Sequence, residues 1–146
     1  MSTTRVGVTG TQAGTTPDQR AAIVALLVSI QPAELHHGDC TGADADLHGI
    51  AREHVPAARI VIHPPDNPVK RAFCRGGEER RQLPYLVRDQ AIVNGTDRLI
   101  AAPGGPERVR SGTWYTVRYA AGQGRHISIV WPDGSVEERP APGGPS

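Results

Sequence analysis

Short apolar runs alternate along the chain with longer segments in which apolar residues recur every three or four positions. The short runs predict buried strands, and the longer segments predict helices with one face in the core. The predicted strands are 5–9, 34–37, 59–62, 98–102 and 126–131. The predicted helices begin after Thr16 and after Thr41 and cover 85–94 and 112–121; Thr16 with Gln19 predicts a capping box on the first helix, and Ser111 predicts a cap on the last. This alternation is typical of a single α/β domain with a mostly parallel five-stranded sheet and helices on both faces.

Two segments lack an apolar period. Residues 66–82 carry five basic side chains and predict a long basic loop. Residues 132–146, with the sequence PDGSVEERPAPGGPS, predict a flexible tail, which leaves 1–131 as the folded domain. Chains of 146 residues usually form one domain, which agrees with this division.

Charge and cysteine usage restrict the classes of partner. The chain has 16 Lys and Arg against 15 Asp and Glu, a formal charge of +1, which disfavours a nucleic-acid partner held by bulk electrostatics. Its longest apolar run, 21–28, is far shorter than a membrane span of about 20 residues. The two cysteines are not in CxxC spacing, so we expect a cytoplasmic protein without disulfides.

Three loops that follow predicted strands combine glycines with hydroxyl side chains. Glycine lets a backbone approach a ligand closely, and the helix that follows each loop presents free amides that suit phosphate. None of these loops reads GxGxxG or GKS/GKT, which disfavours a dinucleotide dehydrogenase and a P-loop NTPase. The candidate binding residues are Thr9, Gly10, Thr11, Gly38, Asp39, Thr41, Gly42, Pro103, Gly104, Gly105, Ser111, Gly112 and Thr113.

The same loops resemble a known superfamily. The turn 38–44, GDCTGAD, is similar to the GGARGAD-type turn of the SLOG superfamily, the Rossmann-like domains related to the LOG phosphoribohydrolases and the Smf-type DNA-processing proteins. The stretch 84–103 resembles the superfamily's helix, which begins with Arg-Asn, and its following strand. Pro103-Gly104-Gly105 and Gly112-Thr113 resemble its PGG-x-GT element, separated here by the insertion 106–111.

The resemblance implies a Rossmann-like domain, usually a homodimer, that binds a nucleotide-like small molecule. It also implies that Arg88 contacts the ligand phosphate. The phosphoribohydrolases continue GT as GTxxE, and that glutamate takes part in cleaving the N-glycosidic bond; Thr116 stands at this position here. The Arg-Asn pair is Arg88-Asp89. If the chain is an enzyme, Asp39, Asp44 or Asp89 would have to supply the missing carboxylate.

Three hypotheses follow: a nucleotide-binding module, a nucleotide N-glycosidase with a non-standard carboxylate, and a nucleic-acid-handling protein of the Smf type. The missing glutamate favours the first, and the near-zero charge weakens the third. We expect no cofactor and no metal site, because adjacent His36 and His37 on a strand point to opposite faces.

Overall fold

The computed structural model describes residues 2–142. Its helices are α1 (Pro17–Ile30), α2 (Ala43–His54), α3 (Tyr85–Asn94) and α4 (Gly112–Gly122). A short 3-10 helix covers Pro68–Lys70. The strands are β1 (Arg5–Gly10), β2 (Glu34–His37), β3 (Arg59–Ile62), β4 (Glu78–Glu79), β5 (Arg98–Ala102), β6 (His126–Val130) and β7 (Val136–Arg139).

The strands form one sheet in the order β4-β3-β2-β1-β5-β6-β7. All neighbouring pairs are parallel except β6 and β7. The mostly parallel sheet of a single α/β domain is therefore confirmed, but the sheet has seven strands rather than the predicted five.

The two additional strands are polar edge strands. β4 consists of two glutamates within the expected basic loop, and β7 (VEER) lies within the expected tail. Neither strand has a continuous buried side, so neither shows the apolar alternation by which a strand is recognised in a sequence. Side-chain contacts help to hold them: Arg59 forms an ion pair with Glu78, and both His126 and Ser128 hydrogen-bond to Glu138.

The helices cover both faces of the sheet, as predicted. On one face α1 and α2 pack over a core that includes Ile23, Leu27 and Leu47. On the other face α3 and α4 pack over the second core, which includes Trp114 and Ile129. The inner strand β5 contributes to both cores, because alternate residues of a strand point to opposite faces. Its buried residues are Leu99 and Ala101 on one side, and Ile100 and Ala102 on the other.

The strand order reverses between β1 and β5, since β1 connects to strands on one side and β5 to strands on the other. The loops that leave the carboxyl ends of these two strands must diverge, and a crevice opens between them. Thr11 N donates to Ala102 O at 3.0 Å, which fixes the two loops at their base.

Residues at the start of α1 also hold the loop after β5 in place. Thr16 and Gln19 form the predicted capping box, and the buried Gln19 amide also donates to Pro103 O at 2.9 Å and to Val130 O at 2.8 Å. Among residues 2–142, no helix has both the length and the apolar character that a bilayer crossing requires.

Candidate functional site

A cavity of about 770 Å³ occupies the crevice between β1 and β5. Its walls are the end of β1 with the loop that follows it, residues 8–13, and the β5–α4 loop together with the first turn of α4. Its floor is formed by Cys40 and Asp44 near the start of α2 and by Tyr85, Arg88 and Asp89 of α3. This volume is within the range of about 300–1,000 Å³ that small-molecule sites occupy.

Most of the predicted site residues line this cavity. They are Thr9, Gly10, Thr11, Asp44, Arg88, Asp89, Pro103, Gly104, Gly105, Ser111, Gly112 and Thr113. Four predicted residues do not line it, and all four belong to the loop after β2: Gly38, Asp39, Thr41 and Gly42.

The loop after β2 is closed by groups of the protein itself. The amide of Thr41 donates to Lys70 O at 2.9 Å, and the amide of Ala43 donates to Thr11 O at 2.8 Å. Gly42 has a φ of +91°, and a Cβ at this position would overlap the backbone of Gln12. The start of α2 therefore has the glycines of a phosphate cradle, but the amides of Thr41 and Ala43 are bonded, and the neighbouring loop fills the approach at Gly42.

Asp39 holds the basic segment 66–82 against the sheet. Its carboxylate accepts from Arg71 Nε at 2.7 Å and from the amide of Cys74 at 2.8 Å, and the residue is fully buried. Burial alone would raise the pKa of Asp39, but these two donors hold it below its usual value. Both carboxylate oxygens are occupied, so this geometry fits a structural role and gives no route to a ligand.

Arg88 lies beneath the cavity and is buried. Its guanidinium donates to Asp89 Oδ1 at 2.8 Å, to His63 O at 3.2 Å and to Gly38 O. A Cβ at Gly38 would overlap this guanidinium, which explains the glycine there without a ligand. The predicted phosphate contact of Arg88 stays a prediction, and the hydrogen bonds show that much of its donor capacity is committed to the protein.

Two carboxyl groups share the floor with Arg88. Burial raises the pKa of Asp44 to about 6, and the nearby charge of Arg88 offsets only part of this effect. Asp44 Oδ2 accepts from the amide of Cys40 at 3.2 Å. Burial also raises the pKa of Asp89, although its ion pair with Arg88 acts in the opposite direction. Carboxyl groups with raised pKa values in a cavity are characteristic of functional sites.

Thr116 is adjacent to Asp89 across the α3–α4 interface. The Thr116 hydroxyl donates to Gly112 O at 2.8 Å. Its proximity to the Asp89 carboxylate lowers the pKa of Asp89. The side chain is buried and does not line the cavity. The position at which the resembling hydrolases carry a glutamate is thus next to a carboxylate supplied by α3.

The start of α4 remains accessible from the cavity. Ser111 caps the helix as predicted, because its hydroxyl accepts from the amide of Trp114 at 3.3 Å. Among the described residues, no group accepts a hydrogen bond from the amides of Gly112 or Thr113. Free amides at a helix start carry a partial positive charge, which suits an anion.

A cluster of His37, His48 and Cys74 brings potential metal-ligating atoms within 4.8 Å of one another. The amide of Asp39 donates to His37 Nδ1, so the proton of a neutral His37 ring is on Nε2, which then donates to His48 Nδ1 at 2.9 Å. His48 Nε2 in turn donates to Arg75 O at 2.7 Å. This chain uses all four ring nitrogens, so a metal could bind only by breaking it.

Sequence reasoning did not identify several lining residues, among them Tyr85, Arg108 and Arg110. Tyr85 was interpreted only as the first residue of a helix. Arg108 and Arg110 lie in the insertion 106–111, and their alternate spacing in a glycine-bounded loop was the available signal.

No protein-family model matches the chain, and no curated protein matches it. Solved structures, in contrast, do match the chain. The crystal structure of TM1055 aligns with a TM-score of 0.62 and 17% identity, over 85% of this chain and 72% of that one. The molybdenum cofactor binding protein of the phototrophic bacterium Rippkaea orientalis aligns with a TM-score of 0.68 and 18% identity, over 90% and 78%. The chain therefore has the Rossmann-like fold of these solved structures.

The DNA processing protein A (DprA) of Streptococcus pneumoniae aligns with this chain at a TM-score of 0.63 and 15% identity. The alignment covers 87% of this chain and only 50% of DprA. These similarities agree with the superfamily that the motifs at 38–44 and 103–113 resemble. At such low identity they establish the fold and leave the activity to be argued from the site.

Proposed function

We propose that the cavity binds a nucleotide or a nucleotide-derived small molecule. The observation that carries this proposal is the cavity at the reversal of strand order, with two glycine-rich loops and the accessible amides of Gly112 and Thr113 in its wall. Ligands of open α/β sheets bind at this position, outside the carboxyl ends of the strands.

In this proposal the phosphate lies at the start of α4. Gly104 and Gly105 keep this wall free of bulky side chains, and Thr113 lines the same wall. The sugar and base then extend toward the floor and Tyr85, whose ring can stack on a base. A structural neighbour described as a molybdenum cofactor binding protein supports the more general class, the binding of a small molecule by this fold.

Thermal denaturation with nucleoside 5′-monophosphates and with the matching nucleosides tests this proposal. A ligand at a hundredfold excess over its dissociation constant stabilises the native state by about 2.7 kcal/mol, so the monophosphate of the preferred base should raise the melting temperature clearly. Nucleosides should raise it much less, because they lack the group that α4 binds. Equal shifts from both would contradict the proposal.

A charge change at Gly105 makes this test specific. A Cβ at Gly105 meets no atom within 4 Å, so a side chain fits there without disturbing the fold. Gly105→Asp places a carboxylate beside the expected phosphate and should weaken binding at least about tenfold, the effect of a repulsion near 1.4 kcal/mol. Gly105→Asn has the same shape without the charge and serves as the matched control.

A second candidate function is nucleotide N-glycosidase activity, which the position of Asp89 favours. Asp89 lines the cavity, is paired with Arg88 and lies beside Thr116, so α3 supplies a carboxylate close to the place of the missing glutamate. An ionised Asp89 would stabilise the ribosyl cation as the bond from C1′ to the base nitrogen breaks. A protonated Asp44 would give its proton to the departing base. The water that adds to C1′ would then lose a proton to the Asp44 carboxylate, which restores the starting state.

Release of free base, followed by chromatography, tests the enzyme candidate. If Asp89 and Asp44 act as described, a panel of ribo- and deoxyribonucleoside monophosphates should give a turnover that falls by about 10²–10³ in Asp89→Asn. Asp133→Asn is the control, because Asp133 is exposed and does not line the cavity. No release from the native protein would leave binding as the function. Thr116→Glu is a poor rescue variant, since it would bury a second carboxylate against Asp89.

A further inference from the structure

The insertion 106–111 forms the outer part of the cavity wall. It lies between Gly105 and the first residue of α4, and Pro106, Glu107, Arg108 and Arg110 from this loop line the cavity. Any ligand whose phosphate reaches α4 must therefore pass beside this loop.

Arg118 of α4 fixes the loop from outside. Its guanidinium donates to Glu107 Oε2 at 3.0 Å, to Val109 O at 3.1 Å and to Arg108 O at 3.4 Å. Three hydrogen bonds from one planar group hold the backbone over residues 107–109. The wall is therefore positioned before a ligand arrives, which lowers the entropy lost on binding.

The charges of this loop do not balance on the side of the cavity. Arg118 neutralises Glu107, and Arg88 on the floor offsets the carboxyl groups there. Within residues 2–142, neither the guanidinium of Arg108 nor that of Arg110 makes a hydrogen bond or an ion pair with the protein. Two cations thus line the same cavity as the positive end of α4.

We infer that the ligand carries a pyrophosphate or longer phosphate chain, with one phosphate at the start of α4 and the next between Arg108 and Arg110. This inference rests on the proposed function and narrows its ligand class. A single phosphate at α4 leaves the two guanidinium groups without an anion, whereas a second phosphate places one within reach of them. Guanidinium groups are suited to this contact because their planar donors pair with two phosphate oxygens at once.

Titration calorimetry of the full chain with nucleoside 5′-mono- and diphosphates tests the inference, with inorganic phosphate and pyrophosphate as probes that contain no base. The diphosphate of the preferred base should bind at least about tenfold more tightly than its monophosphate, which corresponds to one charge-assisted contact. Pyrophosphate should exceed phosphate in the same way. In Arg108→Gln/Arg110→Gln the diphosphate should lose this advantage, while the monophosphate changes by about twofold or less.

Arg75→Gln/Arg81→Gln is the matched control, because it removes the same charge from exposed positions that do not line the cavity. A loss of the same size in this control would overturn the inference in favour of bulk electrostatics. Equal affinities for mono- and diphosphates would overturn it and leave the proposed function intact. Binding of pyrophosphate without binding of any nucleotide would instead contradict the proposed function and support the anion site.

Discussion

Two loops of this chain share glycines and hydroxyl residues, but their surroundings differ completely. The loop after β2 (38–42) and the loop after β5 (103–111) both combine glycines with hydroxyl or polar residues and both lead into a helix at the carboxyl edge of the sheet. The first is filled: the amides of Thr41 and Ala43 bond to neighbouring backbone, and Asp39 holds the segment 66–82. The second is accessible: within residues 2–142, the amides of Gly112 and Thr113 and the guanidinium groups of Arg108 and Arg110 have no hydrogen-bond partner.

The difference follows from the neighbours of each loop. Next to the β2 loop lie the β1 loop, which provides Thr11 O, and the segment 66–82, which provides Lys70 O and Arg71. The β5 loop lies beside the reversal of strand order, where no further strand connection covers it. A glycine-rich loop thus shows where a backbone can approach something closely, and the topology decides whether that something is the protein or a ligand.

Removal of the Asp39 carboxylate should have the largest effect. Asp39→Ala leaves the nearly buried Arg71 without its buried partner, and the loss of one member of such a pair lowers the free energy of unfolding by about 3–5 kcal/mol. Urea denaturation measures this change. Glu79→Gln is the control, because Glu79 is the exposed partner of Arg71, and its loss should lower stability by about 1 kcal/mol or less. An unchanged stability in Asp39→Ala would show that the β2 loop is not held as described.

Glycine substitutions should have the next largest effect, and their effect on stability should differ between the two loops. Gly42→Ala places a methyl group on the backbone of Gln12 at a residue with φ of +91°, and we expect a loss of about 3 kcal/mol. Gly105→Ala meets open space at an ordinary φ and should change stability by about 0.5 kcal/mol or less. Melting curves of the two variants decide the comparison, and similar losses would contradict it.

Acidification should lower the free energy of unfolding through the buried histidines. Burial lowers the pKa values of His37 and His63 to about 3, so the unfolded chain binds more protons than the native protein below pH 6.5. Stability is therefore complete above the ordinary histidine pKa and falls as the pH drops from 6.5 toward 3. The raised pKa of Asp44 acts in the opposite direction between about pH 6 and 4, because the native state keeps that proton more tightly.

The two histidines outweigh the carboxyl groups of Asp44 and Asp89, whose raised pKa values act in the opposite direction, so the free energy of unfolding should fall between pH 7 and pH 5. Urea denaturation at a series of pH values measures the slope. His63→Gln should make it shallower, whereas substitution of the exposed His54 by Gln should leave it unchanged. A flat profile would show that the buried rings are not held neutral.

The last prediction concerns the oligomeric state, and its test should change the fold of the monomer least. The resemblance implies a two-fold dimer, and the helical segments 85–93 and 114–121 are its candidate surfaces. The apolar residues Trp114, Val117 and Ala120 of α4 are buried in the chain's own core, so the remaining candidate surface is on α3, where Leu86 and Val87 are exposed. Light scattering at micromolar concentration should show a dimer, and Leu86→Glu should convert it to a monomer with little change in monomer fold. A monomeric native protein would contradict the prediction.

The regular elements were largely predictable because they bury apolar residues with a clear period. The bounds predicted for β2, β3, α3 and β5 agree with the structure. The strands β4 and β7 were not predictable, since a polar edge strand is held by backbone pairing and charge contacts that leave no apolar pattern.

The sequence by itself determined the α/β architecture, the capped starts of α1 and α4, and the set of loops among which the site had to lie. The tertiary structure decided which loops form the cavity, placed Asp39 in an internal ion pair with Arg71, and committed Arg88 to Gly38, His63 and Asp89. The reason is physical: local patterns report burial and backbone freedom over a few residues. The partner that satisfies a given amide or guanidinium lies tens of residues away, and only the packed fold brings it within hydrogen-bonding distance.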